Sequence, residues 1–261
     1  MKAFRGLMQK EWLIGKSVLL WLLLAQAGLV FVAYLLAKYL EVAGLFYISS
    51  PMVILMHPLI MIFLICSRLN VEGKAQVWLY NPQSSGMLLG SKLLISVLFQ
   101  GMSLLFACLL TFVTMRIPTS HFGVSFHTES MMSFYNLLQM GIFLMAVSLF
   151  LALVMLFLWV VYHALARVSA IKPFRWLIVS LLFIGMVMVG SWYESTAVYQ
   201  QMDTVWVVDV LSDSSFTMSA DNLKFYLNTG GISLLTTGLD IITLVLLFLA
   251  SCWLLDRKIE V

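Results

Sequence analysis

Polar side chains inside long apolar runs are the first candidates for chemistry in this sequence. His57 lies beside Pro58 in the middle of one run, and Asp240 lies about a turn inside the start of the last run. Gln100 and Gln139 are neutral polar residues inside two other runs. Such groups are costly within a bilayer, and they usually face protein or a water-filled cavity. We therefore take these four side chains as candidates for a path through a membrane.

Each candidate also has a structural interpretation. A neutral His57 can hydrogen-bond to backbone carbonyls that Pro58 leaves without donors. Asp240 can reach the membrane interface or pair with a loop cation such as Lys224. The glutamines, with Gln26 as a third, are typical interhelical hydrogen-bonding groups. The sequence alone leaves both interpretations open.

Patterns typical of enzymes and metal sites are missing from the sequence. His121, His127 and Glu129 share one loop, but their spacing matches no common zinc pattern. There is no HExxH or GxSxG element, and no GxxxxGK[ST] loop that would cradle ATP phosphates. We therefore predict neither an enzyme nor an ATP, cofactor or metal site in this chain itself.

The composition is that of an integral membrane protein. Hydrophobic residues make up 62% of the 261 positions and charged residues 10%, whereas soluble domains average about 25% charged residues. A transmembrane helix needs about 20 apolar residues. The sequence thus predicts an all-α fold with six transmembrane helices. The predicted spans lie near 17–37, 47–66, 93–115, 134–162, 176–193 and 234–255.

Basic residues give the predicted topology. With the N-terminus in the cytoplasm, twelve of the fifteen basic residues fall on the inner side. The outer segments then hold only Lys38, Arg116 and Lys224, together with seven of the twelve acids. Because cytoplasmic loops are enriched in Lys and Arg, both termini are predicted to be cytoplasmic, in a multi-pass protein of the inner membrane.

Residues 1–16 have the pattern of a basic amphipathic helix lying on the inner membrane surface. Glu11 falls on the apolar side of that helix. The alternative is an ordinary positively charged flank of the first span. The predicted apolar face comprises Phe4, Leu7, Met8 and Trp12.

The loop 67–92 joins the second and third predicted spans on the cytoplasmic side. Glu72 to Leu79 is predicted to form a short helix that ends before Pro82. That helix would expose Trp78 and Tyr80, and large aromatic side chains on a cytosolic loop favour a protein contact. The alternative is that they anchor in the lipid headgroup region.

The outer loop 194–233 is about forty residues long and acidic. Structureless loops of this length are uncommon in compact proteins. We therefore expect short helices in it, on the outer membrane face.

With these features together, the sequence resembles the permease family of ABC-2 type transporters. One shared feature is the Lys10-Glu11 pair before the first span, and another is the six-span plan with both ends inside. The third is the loop pattern Trp78-Leu79, Pro82, Leu88-Leu89 and Ser91-Lys92. The long acidic outer loop departs from members in which this connection is a compact, apolar helical hairpin.

The resemblance implies a transport subunit that works as a dimer, with a second copy or a related chain. It also implies two separate cytosolic ATPase subunits, which bind ATP and Mg, and export of an amphipathic or hydrophobic cargo such as an antimicrobial peptide, a drug or a lipid-like molecule. The alternative is a non-transporting membrane subunit that anchors or regulates an ATPase or a sensor of extracellular peptides. By resemblance, ATPase coupling falls on Glu72, Val77, Trp78, Leu79, Tyr80 and Pro82, and the interfacial helix on Phe4, Leu7, Met8, Lys10, Glu11 and Trp12.

Overall fold

The structure, a computed structural model, is built almost entirely of α-helices. It describes residues 2–75, 83–117, 134–166, 171–208 and 232–259. The helices are α1 (Lys2–Leu40), α2 (Ala43–Leu55), α3 (His57–Ala75), α4 (Ser85–Thr114), α5 (Phe134–Leu165), α6 (Arg175–Glu194), α7 (Ala197–Asp203) and α8 (Leu234–Leu254). The remaining elements are a 3₁₀ turn (Lys172–Phe174), two short strands, β1 (Val207–Val208) and β2 (Ile232–Ser233), and a π-helical turn (Leu255–Ile259).

Five of these helices are long and apolar enough to cross a membrane. They are α1, α4, α5, α6 and α8. The successive helices α2 and α3 are bent by 46° and make a sixth span if they count as one. The predicted class, a multi-pass α-helical membrane protein, is therefore confirmed. Each predicted apolar run overlaps one helix or, for 47–66, the α2–α3 pair.

Helix α1 is a single unbroken helix of 39 residues. At 1.5 Å per residue it is about 58 Å long, nearly twice the roughly 30 Å thickness of a bilayer's hydrocarbon core. A separate interfacial helix over residues 1–16 is not shown, because no break divides that segment from the span. Part of α1 must instead extend beyond the hydrocarbon.

The turn after α1 ends that helix by a Schellman-type arrangement. Glu41 has a φ of 56°, in the left-handed region that usually requires glycine. The Val42 N–H donates to the Ala37 carbonyl at 3.1 Å. This reversal leads directly into α2, which is why the connection between α1 and α2 is so short.

The bend between α2 and α3 occurs beside Pro58. Proline has no N–H, so the Ile54 carbonyl cannot receive its normal i+4 hydrogen bond. The helix breaks at Met56, the one residue between the two helices. Pro51, by contrast, lies inside α2 without ending it.

The chain forms two compact units. In the described part, the first comprises residues 2–61, 94–117 and 134–149. Its buried apolar core draws on α1, α2, α4 and α5, and the Tyr47 hydroxyl donates to the Ile117 carbonyl at 2.7 Å. Core side chains include Val30, Ala37, Phe46, Ile54, Leu104, Cys108, Leu137 and Leu144.

The described part of the second unit comprises residues 62–75, 83–93, 150–166, 171–208 and 232–259. Within it α4 contacts α8 where the Ser85 hydroxyl donates to the Cys252 carbonyl at 3.1 Å. Helix α5 contacts α3 where Trp159 Nε1 donates to Asn70 Oδ1, also at 3.1 Å. Helix α6 has no buried residue.

The described start of the loop 194–233 contains α7, so the expected short helix is present there. Thr196 caps α7 by accepting a hydrogen bond from the Tyr199 N–H at 3.3 Å. The antiparallel pair β1–β2 then leads into α8, whose N-cap is Ser233. The Ser233 hydroxyl lies 3.0 Å from the Met202 and Val205 carbonyls, which ties α7 to the start of α8.

Candidate functional site

One face of α4 carries a row of buried polar side chains. Ser96, Gln100, Ser103 and Thr111 are all 0% exposed. Their spacing of three, four or eight residues places them on the same side of a helix. Although α4 is an apolar membrane span, the side that packs against protein is therefore its polar side.

Ser103 is the centre of a hydrogen-bonded chain that joins three helices. Gln26 of α1 donates from Nε2 to the Ser103 hydroxyl oxygen at 2.6 Å. Nε2 of His57, the first residue of α3, lies 3.2 Å from the same oxygen. All three side chains are buried.

The second ring nitrogen of His57 fixes the direction of this chain. Nδ1 lies 2.8 Å from the Val53 carbonyl oxygen and 3.2 Å from the Ile54 carbonyl oxygen. Carbonyl oxygens only accept, so Nδ1 carries the proton and Nε2 of the neutral ring is an acceptor. The Ser103 hydroxyl therefore donates to His57 and accepts from Gln26.

Gln100 extends the network to α5. Its Nε2 donates to the backbone carbonyl of His57 at 2.9 Å and to the Ser148 hydroxyl at 3.3 Å. Ser148 in turn donates to the Leu144 carbonyl. The network thus links α1, the α2–α3 bend, α4 and α5, all within the first unit.

Four buried polar atoms at or near this network make no hydrogen bond within the part of the chain that the structure describes. They are Gln26 Oε1, Gln100 Oε1, Ser50 Oγ and Ser96 Oγ. Each such atom costs about 1–3 kcal/mol. Buried polar atoms that lack a protein partner are usually satisfied by water. The site therefore offers hydrogen-bonding capacity, mainly for donors, inside a membrane span.

An apolar cavity of about 160 Å³ lies in the same unit. Met61 follows His57 by one turn, Val97 precedes Gln100 by about one turn, and Ser148 belongs to the lining segment of α5. The apolar cavity and the polar network therefore occupy the same level of these helices. The lining residues are Met61, Val97, Ile142, Met145, Ala146 and Leu149.

The network is neutral and is not a metal centre. Across the described ranges, no group of three or more His, Cys, Asp or Glu side chains is arranged to hold a metal ion. His121, His127 and Glu129 lie outside those ranges.

Two of the four predicted path residues meet in this network, namely His57 and Gln100. Gln139 is half-buried and lies nine residues before Ser148 in α5, about 14 Å along the helix axis. Asp240 belongs to the second unit, where it is exposed on α8. Lys224, its suggested partner, is outside the described residues.

Asp240 instead belongs to an acidic group around Tyr199. Burial, followed by the negative charges of Asp240, Asp203 and Glu194, raises the pKa of the Tyr199 phenol. Asp203 also accepts a hydrogen bond from the Thr236 hydroxyl at 3.3 Å. This group marks the connection between α6, α7 and α8.

Part of the predicted amphipathic segment 1–16 packs against the rest of the chain. Glu11 is only 3% exposed, so it lies on the buried side of α1, and Trp12 is 39% exposed. The Trp12 ring contacts the Phe99 ring edge-on, with the centroids 5.1 Å apart. Phe4, Leu7, Met8 and Lys10 are half-buried.

The predicted ATPase contacts lie mostly outside the described residues, since Val77, Trp78, Leu79, Tyr80 and Pro82 fall in the segment 76–82. Glu72 lies in α3, which continues to Ala75. Two cations of the loop 67–92, Arg68 and Lys92, are 6% and 2% exposed. Charged side chains are almost never this buried unless they are paired.

Sequence reasoning missed Ser103 and Ser148. Serine is common in membrane helices, where its hydroxyl often bonds to the carbonyl four residues earlier. Neither residue therefore differs from its neighbours in sequence. A spacing signal did exist, because Ser96, Gln100 and Ser103 repeat on one helical face.

Apolar spanning helices with a buried polar network define this chain as a multi-pass α-helical membrane protein. Over its whole length it is similar to a protein of Bacillus subtilis (strain 168), "Uncharacterized protein YhcE", with 25% identity. The match also covers all of that protein. No family model matches the chain. No solved structure matches it either.

Proposed function

We propose that this chain is the permease subunit of an ATP-driven exporter of the ABC-2 type, located in the cytoplasmic membrane of a bacterium. The observation that supports this most is the network of His57, Ser103, Gln26 and Gln100 in membrane spans. Buried hydrogen-bonding groups in spans are costly and typically mark a pathway. A protein that serves only as an anchor gains nothing from carboxamide oxygens that lack a partner among the described residues.

The chemistry of the site suggests the class of cargo. An amphipathic molecule, such as an antimicrobial peptide, a drug or a lipid-like compound, combines an apolar surface with a few hydrogen-bond donors. The 160 Å³ apolar cavity suits the first property. The oxygens Gln26 Oε1 and Gln100 Oε1 suit the second.

The energy for export would come from other polypeptides. The sequence contains no phosphate-binding loop, so two cytosolic ATPase subunits would bind the ATP and Mg. The loop 67–92, and the part of α1 that extends beyond the bilayer, would receive their movement. Helix α6, which buries no residue within this chain, leaves a surface for a second permease copy.

Coupling is tested by purifying the chain with an ATPase encoded beside its gene. We expect Trp78→Ala and Tyr80→Ala to leave the chain folded but to reduce ATPase binding or cargo-stimulated ATP hydrolysis. Trp21→Ala is the matched control, because Trp21 is an aromatic residue that is 71% exposed on α1. Unchanged binding and coupling in both loop variants would remove the coupling assignment.

Transport is tested in inverted vesicles that contain the complex and ATP. A fluorescent, cationic amphipathic peptide serves as the probe. We expect ATP-dependent uptake that Gln100→Leu reduces and that a lipid-facing control, Leu105→Ala, does not. No ATP-dependent uptake of any amphipathic probe would reject the exporter proposal.

The second candidate is a non-transporting subunit that anchors or regulates an ATPase or a sensor. The acidic group of Glu194, Asp203 and Asp240 favours it, because such a surface suits a cationic extracellular peptide. This candidate predicts that an external peptide changes ATPase activity without crossing the membrane. Replacing the three acids with amides would then abolish the response.

A further inference from the structure

The break between α2 and α3 contains a side chain that replaces a missing backbone donor. Pro58 cannot donate to the Ile54 carbonyl, which is deeply buried, since Ile54 is 0% exposed. The adjacent His57 turns its ring back along α2. Its Nδ1–H lies between the Val53 and Ile54 oxygens, at 2.8 and 3.2 Å.

The same residue is tied to two other helices. Its Nε2 accepts from Ser103 of α4, and Ser103 accepts from Gln26 of α1. Its backbone carbonyl accepts from Gln100, also of α4, at 2.9 Å. The geometry at the bend is therefore connected to the packing of α1 and α4.

We propose that His57 is a latch that holds the α2–α3 pair in its bent form. Straightening or further bending at Met56 would move the Val53 and Ile54 carbonyls away from Nδ1. Both carbonyls would then have to find another donor in an apolar interior. A change of angle at the bend therefore requires His57 to release either these two carbonyls or Ser103.

This latch differs from ordinary packing in one measurable respect. The stabilisation that His57 provides depends on the absence of a backbone donor at position 58. Replacing Pro58 with alanine restores a backbone N–H that can reach the Ile54 carbonyl. His57 should then matter less, whereas a purely packing role would be unaffected by the new N–H.

The test is a double-mutant cycle of His57→Ala and Pro58→Ala, with thermal unfolding of the full chain in detergent. His57→Ala alone removes bonds from both ring nitrogens, and we expect the melting temperature to fall by about 4–8 °C. In the Pro58→Ala background we expect about half of that decrease. Equal decreases in the two backgrounds would overturn the proposal.

A second variant distinguishes the contribution of Nδ1 from that of Nε2. In His57→Asn the side-chain amide N–H can take the place of Nδ1–H, while the bond to Ser103 is lost. We expect amide hydrogen exchange at residues 55–60 to rise at least tenfold in His57→Ala and much less in His57→Asn. Ser96→Ala, a buried change on α4 outside the latch, is the control and should leave the exchange unchanged.

These measurements do not depend on transport. If His57→Ala fails to fold, Pro58→Ala and His57→Asn still decide the question by their exchange rates. If amide hydrogen exchange at the bend is as fast in His57→Asn as in an apolar His57→Leu variant, the Nδ1 donor does not hold the bend. Slow amide exchange at the bend in His57→Asn but not in His57→Leu would support the latch even if no cargo is ever transported.

Discussion

Two serines on α4 provide a matched pair for testing the buried network. Ser96 and Ser103 lie two turns apart on the same helix face, and both are 0% exposed. Ser103 bonds to Gln26 and His57. The Ser96 hydroxyl has no partner among the described residues. We predict that the same substitution, serine to alanine, has opposite effects at the two positions.

The magnitudes follow from the hydrogen bonds. A hydrogen bond between membrane helices contributes about 0.6 kcal/mol on average and up to about 1.7 kcal/mol. Ser103→Ala removes two of them and leaves Gln26 Nε2 and His57 Nε2 unpaired, so the free energy of unfolding should fall by about 1–3 kcal/mol. Ser96→Ala removes a buried hydroxyl that has no partner among the described residues. The free energy of unfolding should therefore stay the same or rise by about 1 kcal/mol or more.

Helix propensity does not affect the comparison. Alanine is a better helix former than serine by about 0.5 kcal/mol, and this gain is common to both variants. The difference between them therefore reports the hydrogen bonds. We expect it to be at least about 1 kcal/mol.

The assay is unfolding of the purified chain in mixed micelles by titration with SDS, followed by far-ultraviolet circular dichroism. Gln26→Leu should cost less in the Ser103→Ala background than alone, because the shared bond is already gone. Equal stability of the two serine variants would refute the network as drawn. A larger loss for Ser96→Ala would show that its hydroxyl has a partner that we do not see.

Two further predictions concern the rest of the fold. A methyl group added at Gly185 meets nothing within 4 Å, whereas one at Gly141 lies 3.2 Å from a Leu104 methyl carbon. Gly185→Ala should therefore raise the melting temperature, and by more than Gly141→Ala does. Equal increases in the two variants would contradict the tight contact at Gly141. The pKa of Tyr199 is raised by burial and by acids that include Asp203. The folded chain therefore keeps the phenolic proton of Tyr199 to higher pH than the unfolded chain does. The free energy of unfolding should fall as pH rises above about 10. The ionisation of Tyr199 can be followed by absorbance near 295 nm, with Tyr199→Phe as the reference. In Asp203→Asn it should occur at lower pH. An unchanged titration would show that the Asp203 carboxylate does not raise the pKa of Tyr199.

The sequence predicted the membrane class and the positions of the helices well. Apolar runs of about 20 residues can satisfy their backbone only as helices in a bilayer, so α4, α5, α6 and α8 follow almost directly from the runs. These features depend on local sequence, which is why no tertiary information was needed.

The first sixteen residues show where such reasoning stops. Their amphipathic pattern predicted a separate helix on the membrane surface. The structure has one continuous helix, with Glu11 buried at 3% exposure. A hydrophobic stripe indicates that a helix face packs against something apolar, but it does not distinguish lipid from another helix.

The candidate site depended on tertiary structure even more. His57 and Gln100 stood out in the sequence because polar side chains are rare at membrane depth. Gln139 and Asp240 stood out for the same reason, but the structure places them outside the network. Which polar residues meet depends on how each helix is rotated about its axis, and the sequence of a nearly uniform apolar helix does not specify that rotation.

The sequence by itself thus determined that the chain is a helical membrane protein and that it contains no GxxxxGK[ST] motif. Only the tertiary structure decided that His57 turns back towards the Val53 and Ile54 carbonyls and meets Ser103. Nothing in the sequence distinguishes Ser103 from Ser96, two residues of the same type on the same face. The physical reason is that a hydrogen bond requires a partner at about 3 Å, and partners 46 and 77 residues away are brought to that distance only by packing.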